Sequence, residues 1–144
     1  MWRALLNILH TANNLYRRKI LDSPYCPRCH IAKEDVLHAL LRCKMTRKVW
    51  ELSNVAEILD KNSFTDFYSA SLYLHSSLPK EKFEGFVALA WSVWRARNLT
   101  LFTKEGMDIS STLIRADRVS QAYKDAQETC IKSIGAPVLS TEER

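Results

Sequence analysis

Apolar residues recur every three or four positions along two long stretches of the chain, residues 83–102 and 109–134. This is the period of an amphipathic α-helix, in which such residues share one face. The first stripe consists of Phe83, Phe86, Val87, Ala90, Trp91, Trp94, Asn98, Leu101 and Phe102. The second consists of Ile109, Leu113, Ala116, Ser120, Tyr123, Ala126, Cys130 and Ile134. The pattern therefore predicts two long C-terminal helices, each with one buried face.

Proline and glycine mark the predicted ends of these helices. Pro79 suits the first position of the first long helix, because that position needs no backbone N–H donor. Gly106 is placed to follow its last turn, where a left-handed residue is common. Gly135 and Pro137 predict the end of the second long helix, and we expect residues 136–144 to form a flexible tail.

The rest of the chain carries shorter helical patterns. The first of them is formed by Leu5, Leu6, Leu9, Ala12 and Leu15. It is interrupted near His10, and either Thr11 or Asn13 could cap a second short helix after the break. Another helix is predicted around residues 64–72, after a loop at residues 54–63. The fold class is therefore mainly α, with about five or six helices.

Charge is distributed unevenly between the two parts of the chain. The 144 residues are 47% hydrophobic and 26% charged, which fits one domain, or one domain with a helical appendage. Residues 1–50 hold 10 Lys and Arg against 3 Asp and Glu, whereas residues 51–144 hold 11 against 13. A basic local field attracts polyanions, of which nucleic acid is the commonest, but a solvated basic surface without a partner has the same composition.

No secretory leader or membrane span is predicted. The first residues lack a small-residue cleavage site, and the most apolar run, Phe83–Trp94, is only 12 residues long. A transmembrane helix needs about 20 apolar residues. We therefore expect an intracellular protein, nuclear or cytoplasmic, that has reduced thiols and no membrane partner.

Three of the 4 cysteines and one histidine fall in a short stretch with the spacing C-x2-C-x8-H-x4-C. Pro24 and Pro27 favour a tight turn or a two-stranded ribbon around the first cysteine pair. Thiolates and imidazole are donors that Zn²⁺ prefers, and four of them close a tetrahedral structural site. The sequence therefore predicts a zinc knuckle that stabilises the fold. Its predicted ligands are Cys26, Cys29, His38 and Cys43.

A short helix is predicted between the second and the last of these ligands. Asp35 could cap it, so that His38 projects toward the cysteine turn and Cys43 follows at its end. Thr46 could then cap the next helix, which carries Trp50.

Three other interpretations use the same residues. The sequence C-x-x-C-H at residues 26–30 matches a haem attachment motif, which needs an exported protein. A redox-active cysteine pair usually follows a strand, whereas the upstream sequence is helical. Three buried cysteines with a core histidine are the remaining alternative. His30 competes with His38 for the metal, but it adjoins Cys29 and could hardly reach the ion beside it.

Five short motifs occur in order within the first 50 residues. They are Trp2-Arg3-Ala4-Leu5, Asn14-Leu15-Tyr16-Arg17-Arg18, Cys26-Pro27-Arg28-Cys29, Glu34-Asp35-Val36-Leu37-His38, and Cys43 with Val49-Trp50. Together they resemble the zinc-binding domain found after the reverse transcriptase of plant non-LTR retrotransposons. The segment from Trp91 to Phe102 also resembles a helix that lies between this domain and a ribonuclease H domain. The resemblance implies Zn²⁺ as the cofactor.

The chain also departs from that family's pattern. His10 stands where the family usually has proline, and the family's domain normally starts with a segment upstream of Trp2. The Tyr-x-Asp-Asp motif of a polymerase and the aspartate pattern of ribonuclease H are both absent from the sequence. The resemblance thus implies a front-truncated fragment of a retroelement, or a host gene derived from one, and we do not expect an enzyme.

Two functional classes fit these features. The first is a zinc-stabilised accessory module that binds RNA or DNA without sequence preference. The second is a structural or protein-interaction remnant that binds zinc and self-associates through an exposed apolar face; a non-functional relic is a third possibility. We expect a zinc-binding module at residues 1–53 and a helical region at residues 54–135. The predicted nucleic-acid-binding residues are Arg17, Arg18, Lys19, Arg28, Arg42, Lys44, Arg47 and Lys48.

Two tryptophans and the last cysteine have two interpretations each. Trp91 and Trp94 could stack on bases, with Arg95 and Arg97 contacting phosphate. Their helical spacing instead favours a place in the core, with the arginines on a solvated face. Cys130 is predicted to be a small core residue.

Overall fold

Seven α-helices and one π-helical turn make up most of the described chain, which confirms the mainly α fold class. The structure, a computed structural model, describes the backbone of residues 2–142 and the side chains of residues 3–133. Its helical elements are α1 (Trp2–Leu5), α2 (Ala12–Arg17), the π-helical turn (His38–Arg42), α3 (Lys44–Glu51), α4 (Ala56–Lys61), α5 (Phe67–Ser77), α6 (Lys80–Thr103) and α7 (Ile109–Glu142). Across the described range, extended backbone pairs at a single antiparallel bridge between Tyr25 and Lys33.

The two long C-terminal helices predicted from the sequence are present and pack against each other. Residues 104–108 join α6 to α7, and so short a connection returns the chain alongside itself. Ser92 Oγ donates a 2.8 Å hydrogen bond to the backbone oxygen of Thr112, which fixes how far one helix is shifted along the other. The N-terminal part packs against this helix pair through α6.

One main core joins the N-terminal helices to α6. The Trp50 ring of α3 lies 5.3 Å, centroid to centroid, from the Phe86 ring of α6. Its Nε1 donates to the backbone oxygen of Leu40 at 2.6 Å. Phe67 of α5 stacks on the same Phe86 ring at 6.0 Å. Because residues on both sides of position 53 fill this core, α6 directly supports the predicted module at residues 1–53.

The break predicted near His10 is confirmed. Thr11 caps α2, and its side-chain oxygen accepts a hydrogen bond from the Asn14 backbone N–H at 3.2 Å. The Asn14 side chain in turn donates to the backbone oxygens of Leu9 and Asn7 at 2.8 and 3.0 Å. These bonds satisfy polar backbone groups at the turn between α1 and α2.

The loop predicted at residues 54–63 was wrong in part, because it contains the short helix α4. Val55, which precedes this helix, is buried in the main core. Within α4, Ile58 and Leu59 are partly buried against the same core, but a helix of six residues is too short for its apolar period to be recognised from the sequence.

The ends of α6 differ slightly from the prediction. The helix ends at Thr103, and Lys104 adopts the left-handed conformation, with φ at 60°, that was expected of Gly106. The Lys104 N–H donates to the backbone oxygen of Thr100 at 2.8 Å and closes the last turn. At the other end, Pro79 is the N-cap rather than the first helical residue.

The last helix extends further than the sequence predicted. α7 continues past Gly135 and Pro137 to Glu142. The flexible tail predicted at residues 136–144 overlaps this stretch, whose side chains, with all of residues 143 and 144, lie outside the described residues. Cys130 was predicted to be a core residue but is exposed. No described helix combines the length and the hydropathy needed to cross a bilayer.

We expect Asp66→Ala to lower the free energy of unfolding by about 1 kcal/mol, because Asp66 caps α5. Its Oδ1 accepts a 2.7 Å hydrogen bond from the Ser69 backbone N–H. That bond lowers the pKa of the Asp66 carboxyl. The contribution is therefore present above the unfolded pKa of about 3.9 and is lost as pH falls through the lower folded value.

Urea unfolding at neutral and acidic pH measures the contribution of the Asp66 cap. Glu128→Ala, on the exposed face of α7, is the control, and equal losses for both variants would contradict the cap.

Candidate metal centre

A tight turn presents the first two cysteines to the same site. The Cys26 N–H donates to the backbone oxygen of Ala32 at 2.8 Å, and the His30 N–H donates to that of Cys26 at 2.9 Å. His30 adopts a left-handed conformation with φ at 59°, which reverses the chain direction. Its side chain is exposed and is not part of the donor group that contains Cys29. His38 therefore fits the fourth position, as predicted.

The π-helical turn brings His38 and Cys43 together. Asp35 acts as the predicted cap, because its Oδ1 accepts a 2.6 Å hydrogen bond from the His38 backbone N–H. The Cys43 N–H then donates to the His38 backbone oxygen at 2.8 Å, five residues back along the chain. This wider turn stacks Cys43 over His38, and π-turns of this kind are frequent at functional sites. The x4 spacing of the motif is thus accounted for by local backbone geometry.

The four predicted ligand atoms lie together at distances that suit a tetrahedral ion. All of them fall within 4.8 Å of one another. The Cys26 and Cys43 sulfurs are 3.9 Å apart, and the Cys29 sulfur is 3.4 Å from His38 Nε2. Bonds of about 2.3 Å to sulfur and 2.0 Å to nitrogen give tetrahedron edges of roughly 3.8 Å and 3.5 Å. The donor set and its spacing therefore fit Zn²⁺.

Proton sharing within the group shows how closely the donors interact. The hydrogen bond between the Cys26 and Cys43 sulfurs lowers the pKa of Cys26 and raises the pKa of Cys43. The pKa of His38 is raised because its ring donates to the Cys26 sulfur. A cation that enters such a group displaces these protons and takes over their role in neutralising the sulfurs.

This geometry agrees with the comparison to known families. Residues 1–50 match the family described as zinc-binding in reverse transcriptase. The match ends at Trp50 within α3, so it covers all four predicted ligands but neither α6 nor α7. No curated protein and no solved structure matches the chain.

A buried ion pair links the metal centre to α6. Glu34 is completely buried, and its carboxylate accepts hydrogen bonds from the Arg97 side chain at both oxygens, one of them 3.1 Å from Arg97 Nε. The same carboxylate accepts from the Ala12 backbone N–H at 2.8 Å. Its Oε2 lies 3.8 Å from the Cys26 sulfur. One side chain therefore contacts the knuckle, α2 and α6 together.

Arg28 lies within the same network rather than on the surface. Its side chain is 1% exposed and its Nη2 is 3.7 Å from the Glu34 carboxylate. It donates to Thr46 Oγ1 and to the backbone oxygen of Ala39, at 2.9 Å each. Thr46 was predicted to cap α3 but lies inside it, where its hydroxyl donates to Ala39 and accepts from Arg28. Arg28 therefore stabilises the knuckle and is not accessible to a polyanion.

The charges of this network would balance with Zn²⁺ bound. Three thiolates and one Zn²⁺ would give the centre one net negative charge, and Glu34 adds another. The guanidinium groups of Arg28 and Arg97 supply two positive charges. Arg97 is hydrogen-bonded to the Glu34 carboxylate, and Arg28 lies 3.7 Å from it. Buried charges are stable only when they are paired in this way.

The other seven predicted nucleic-acid-binding residues are exposed. Lys44, Arg47 and Lys48 lie at positions i, i+3 and i+4 of α3, so they share one face of that helix. Arg42 is exposed, and its side chain also donates to the backbone oxygen of Phe64. The remaining exposed members are Arg17, Arg18 and Lys19.

The two tryptophans of α6 have different environments. Trp94 is half-buried, and the Arg97 guanidinium lies 4.7 Å from its ring centroid while it binds Glu34. Trp91 was predicted to be a core residue but is 42% exposed. The Arg95 guanidinium lies 5.6 Å from the Trp91 ring centroid. The sequence did not identify Glu34 and Arg97 as partners, because they are 63 positions apart.

Proposed function

We propose that this chain is a zinc-stabilised, non-catalytic module that binds RNA or DNA through the basic residues of its first half. The observation that carries the proposal is the buried tetrahedral group of three sulfurs and one imidazole. Four protein ligands fill the coordination sphere of Zn²⁺ and leave no position for a substrate or an activated water. The ion would then stabilise the folded state, and the basic surface around it would bind the nucleic acid.

The charge distribution supports nucleic acid as the partner. Nine basic side chains of the first half are exposed, whereas of its three acidic residues only Asp22 is exposed, Asp35 is half-buried, and Glu34 is buried and paired with arginine. The surface outside the knuckle therefore keeps the positive charge that the sequence count indicates. Contacts of lysine and arginine with phosphate carry no sequence information, so we expect little sequence preference.

Replacing Lys44, Arg47 and Lys48 with glutamine should weaken binding and reduce its dependence on salt. Each phosphate contact contributes about −0.9 to the slope of log K against log salt for duplex DNA. The loss of three contacts should make that slope shallower by roughly 2 to 3. Fluorescence anisotropy with labelled duplexes of unrelated sequence, titrated at several salt concentrations, measures the slope.

A charge-matched variant distinguishes the effect of the α3 surface from the effect of a lower net charge. Lys80, Lys82 and Lys132 are exposed lysines outside the first half, and their replacement with glutamine removes the same charge. We expect that variant to retain most of the wild-type slope. If the two triple variants lose slope equally, or if the wild-type protein binds nothing at low salt, the proposed surface is wrong.

Exposed apolar side chains on α5 favour a second candidate function, self-association. Tyr68 and Leu72 are each 53% exposed and Tyr73 is 44% exposed. The three occupy neighbouring positions of one helix, and contiguous apolar surface of this kind marks interaction sites. A concentration-dependent molar mass in light scattering, abolished by Leu72→Lys, together with no binding to nucleic acid, would favour this function over the first.

A further inference from the structure

We infer that the groove between α6 and α7 beside Trp91 binds unpaired nucleotides of a single-stranded nucleic acid. The inference takes nucleic acid as the ligand from the proposed function. It adds a second binding site, which lies outside the first 50 residues. It predicts that the protein prefers single strands to duplexes.

The groove combines an exposed aromatic ring with positive charge. It has a volume of about 450 Å³ and is lined by Trp91 on α6 and by Ile114, Arg115, Arg118 and Val119 on α7, among others. Trp91 is 42% exposed, which leaves part of its indole open to a ligand.

A third arginine adjoins the same indole. Arg95 lies one turn along α6 from Trp91, with its guanidinium 5.6 Å from the ring centroid. Among the described residues, those that line the groove include neither aspartate nor glutamate. Asp108 does not line the groove, but its carboxylate accepts a hydrogen bond from Ser111, which does. The site is therefore cationic although residues 51–144 as a whole are slightly acidic.

The residues that follow Trp91 on α6 are tightly packed, so the backbone on this side of the groove is held in place. Ser92, next to Trp91, is completely buried and holds α7 through its hydrogen bond to Thr112. Val93, the residue after Ser92 along α6, is also completely buried. These neighbours fix the backbone of α6 at Trp91, so binding need not order that backbone, which lowers the entropic cost of binding.

The chemistry of the groove matches a single strand better than a duplex. Unpaired bases present flat π-faces that stack on aromatic side chains, while arginines hold the adjacent phosphates. A duplex offers the phosphates but keeps its bases stacked on each other. Trp91 should therefore contribute to binding only when the bases are unpaired, whereas the lysines and arginine of α3 should contribute in both cases.

We expect Trp91→Ala to reduce affinity for a labelled oligouridylate of about 20 nucleotides by roughly tenfold at low salt. Trp91→Phe should restore most of it, because phenylalanine retains a π-face. Affinity for a duplex of similar length should stay unchanged in both variants. Tyr123→Ala is the matched control, since Tyr123 is an aromatic residue on α7 that is 51% exposed and does not line the groove. Zinc content and circular dichroism verify that each variant is folded.

The outcomes separate the two proposals. If Trp91→Ala binds both probes as the wild-type protein does, the groove is not a stacking site, while the proposed function stands. If Trp91→Ala loses the single strand but the α3 variant binds normally, the α3 surface is wrong and the groove stands. Absence of binding by the wild-type protein overturns both. Equal Trp91-dependent binding of polyglutamate or anionic vesicles overturns the assignment to nucleic acid.

Discussion

Cys29→Ser should release the zinc and lower the melting temperature by roughly 8–16 °C. At free zinc about a thousandfold above the dissociation constant, binding to the folded state contributes about 4 kcal/mol. A chain of this size loses roughly 2–4 °C per kcal/mol. Cys29 is buried, and serine keeps the shape of cysteine while replacing the sulfur with a hydroxyl, so the substitution removes mainly the metal donor. Metal analysis of the purified protein and a thermal melt measure both effects.

The chain provides its own control for this experiment. Cys130 is a free cysteine on α7 that is exposed and lies outside the donor group. Cys130→Ser should keep one zinc per chain and the wild-type melting temperature. A strong chelator should reproduce the effect of Cys29→Ser and increase amide exchange across residues 15–50. If the wild-type protein contains no zinc, or if chelation leaves its melting unchanged, the centre is not a structural zinc site.

The sequence could predict the metal donors because their geometry is set locally. Residues 26–43 form a tight turn followed by a π-helical turn, and most of the hydrogen bonds that place the four donors lie within this stretch. Prolines, an N-cap and donor spacing are all readable from such a segment. The two long helices were predictable for a related reason, since their apolar periodicity extends over many turns.

The buried face of α6 could not be located as accurately. Residues 86–94 are apolar on nearly all sides of the helix, so the large aromatic residues dominated the predicted stripe. In the structure, Phe86, Leu89, Val93 and Arg97 are buried, whereas Trp91 is exposed. The buried face is thus rotated from the predicted one by about one residue, or roughly 100°. That rotation moves an arginine into the interior and a tryptophan out to the surface.

Buried ion pairs between distant segments are hard to predict for a further reason. Lysine, arginine, aspartate and glutamate are almost never fully buried unless they are paired. Periodicity alone therefore assigns Glu34 and Arg97 to solvent-exposed surface, and only the packing of α6 against the knuckle shows otherwise. The same packing makes α6 part of the metal centre's support, beyond the segment that matches the zinc-binding family.

The pair formed by Glu34 and Arg97 has the second large effect that we predict. Each partner is almost completely buried, so removing one leaves the other as an unpaired charge in the interior. Breaking a buried pair in this way costs about 3–5 kcal/mol. Glu34→Gln keeps an acceptor for the Ala12 N–H, and Arg97→Met keeps the aliphatic stem over Trp94, so both variants remove mainly the charge.

A double-mutant cycle tests this pair against its surroundings. We expect each single variant to lose about 3–5 kcal/mol in urea unfolding of the zinc-loaded protein. The double variant should lose less than the sum by roughly 2 kcal/mol, because no unpaired charge remains. Arg97→Met should also weaken zinc binding by roughly tenfold, since groups that orient metal ligands have effects of this size.

Arg95→Met is the control for this cycle, because Arg95 is exposed on the same helix and contacts only the Trp91 ring among the described interactions. We expect that variant to change stability by less than about 0.5 kcal/mol and to bind zinc normally. Equal effects of Arg95→Met and Arg97→Met, or strict additivity in the cycle, would mean that Glu34 and Arg97 do not couple α6 to the metal centre. The coupling would then have to come from the apolar core that α6 shares with the N-terminal part, which includes the contact of Trp50 with Phe86.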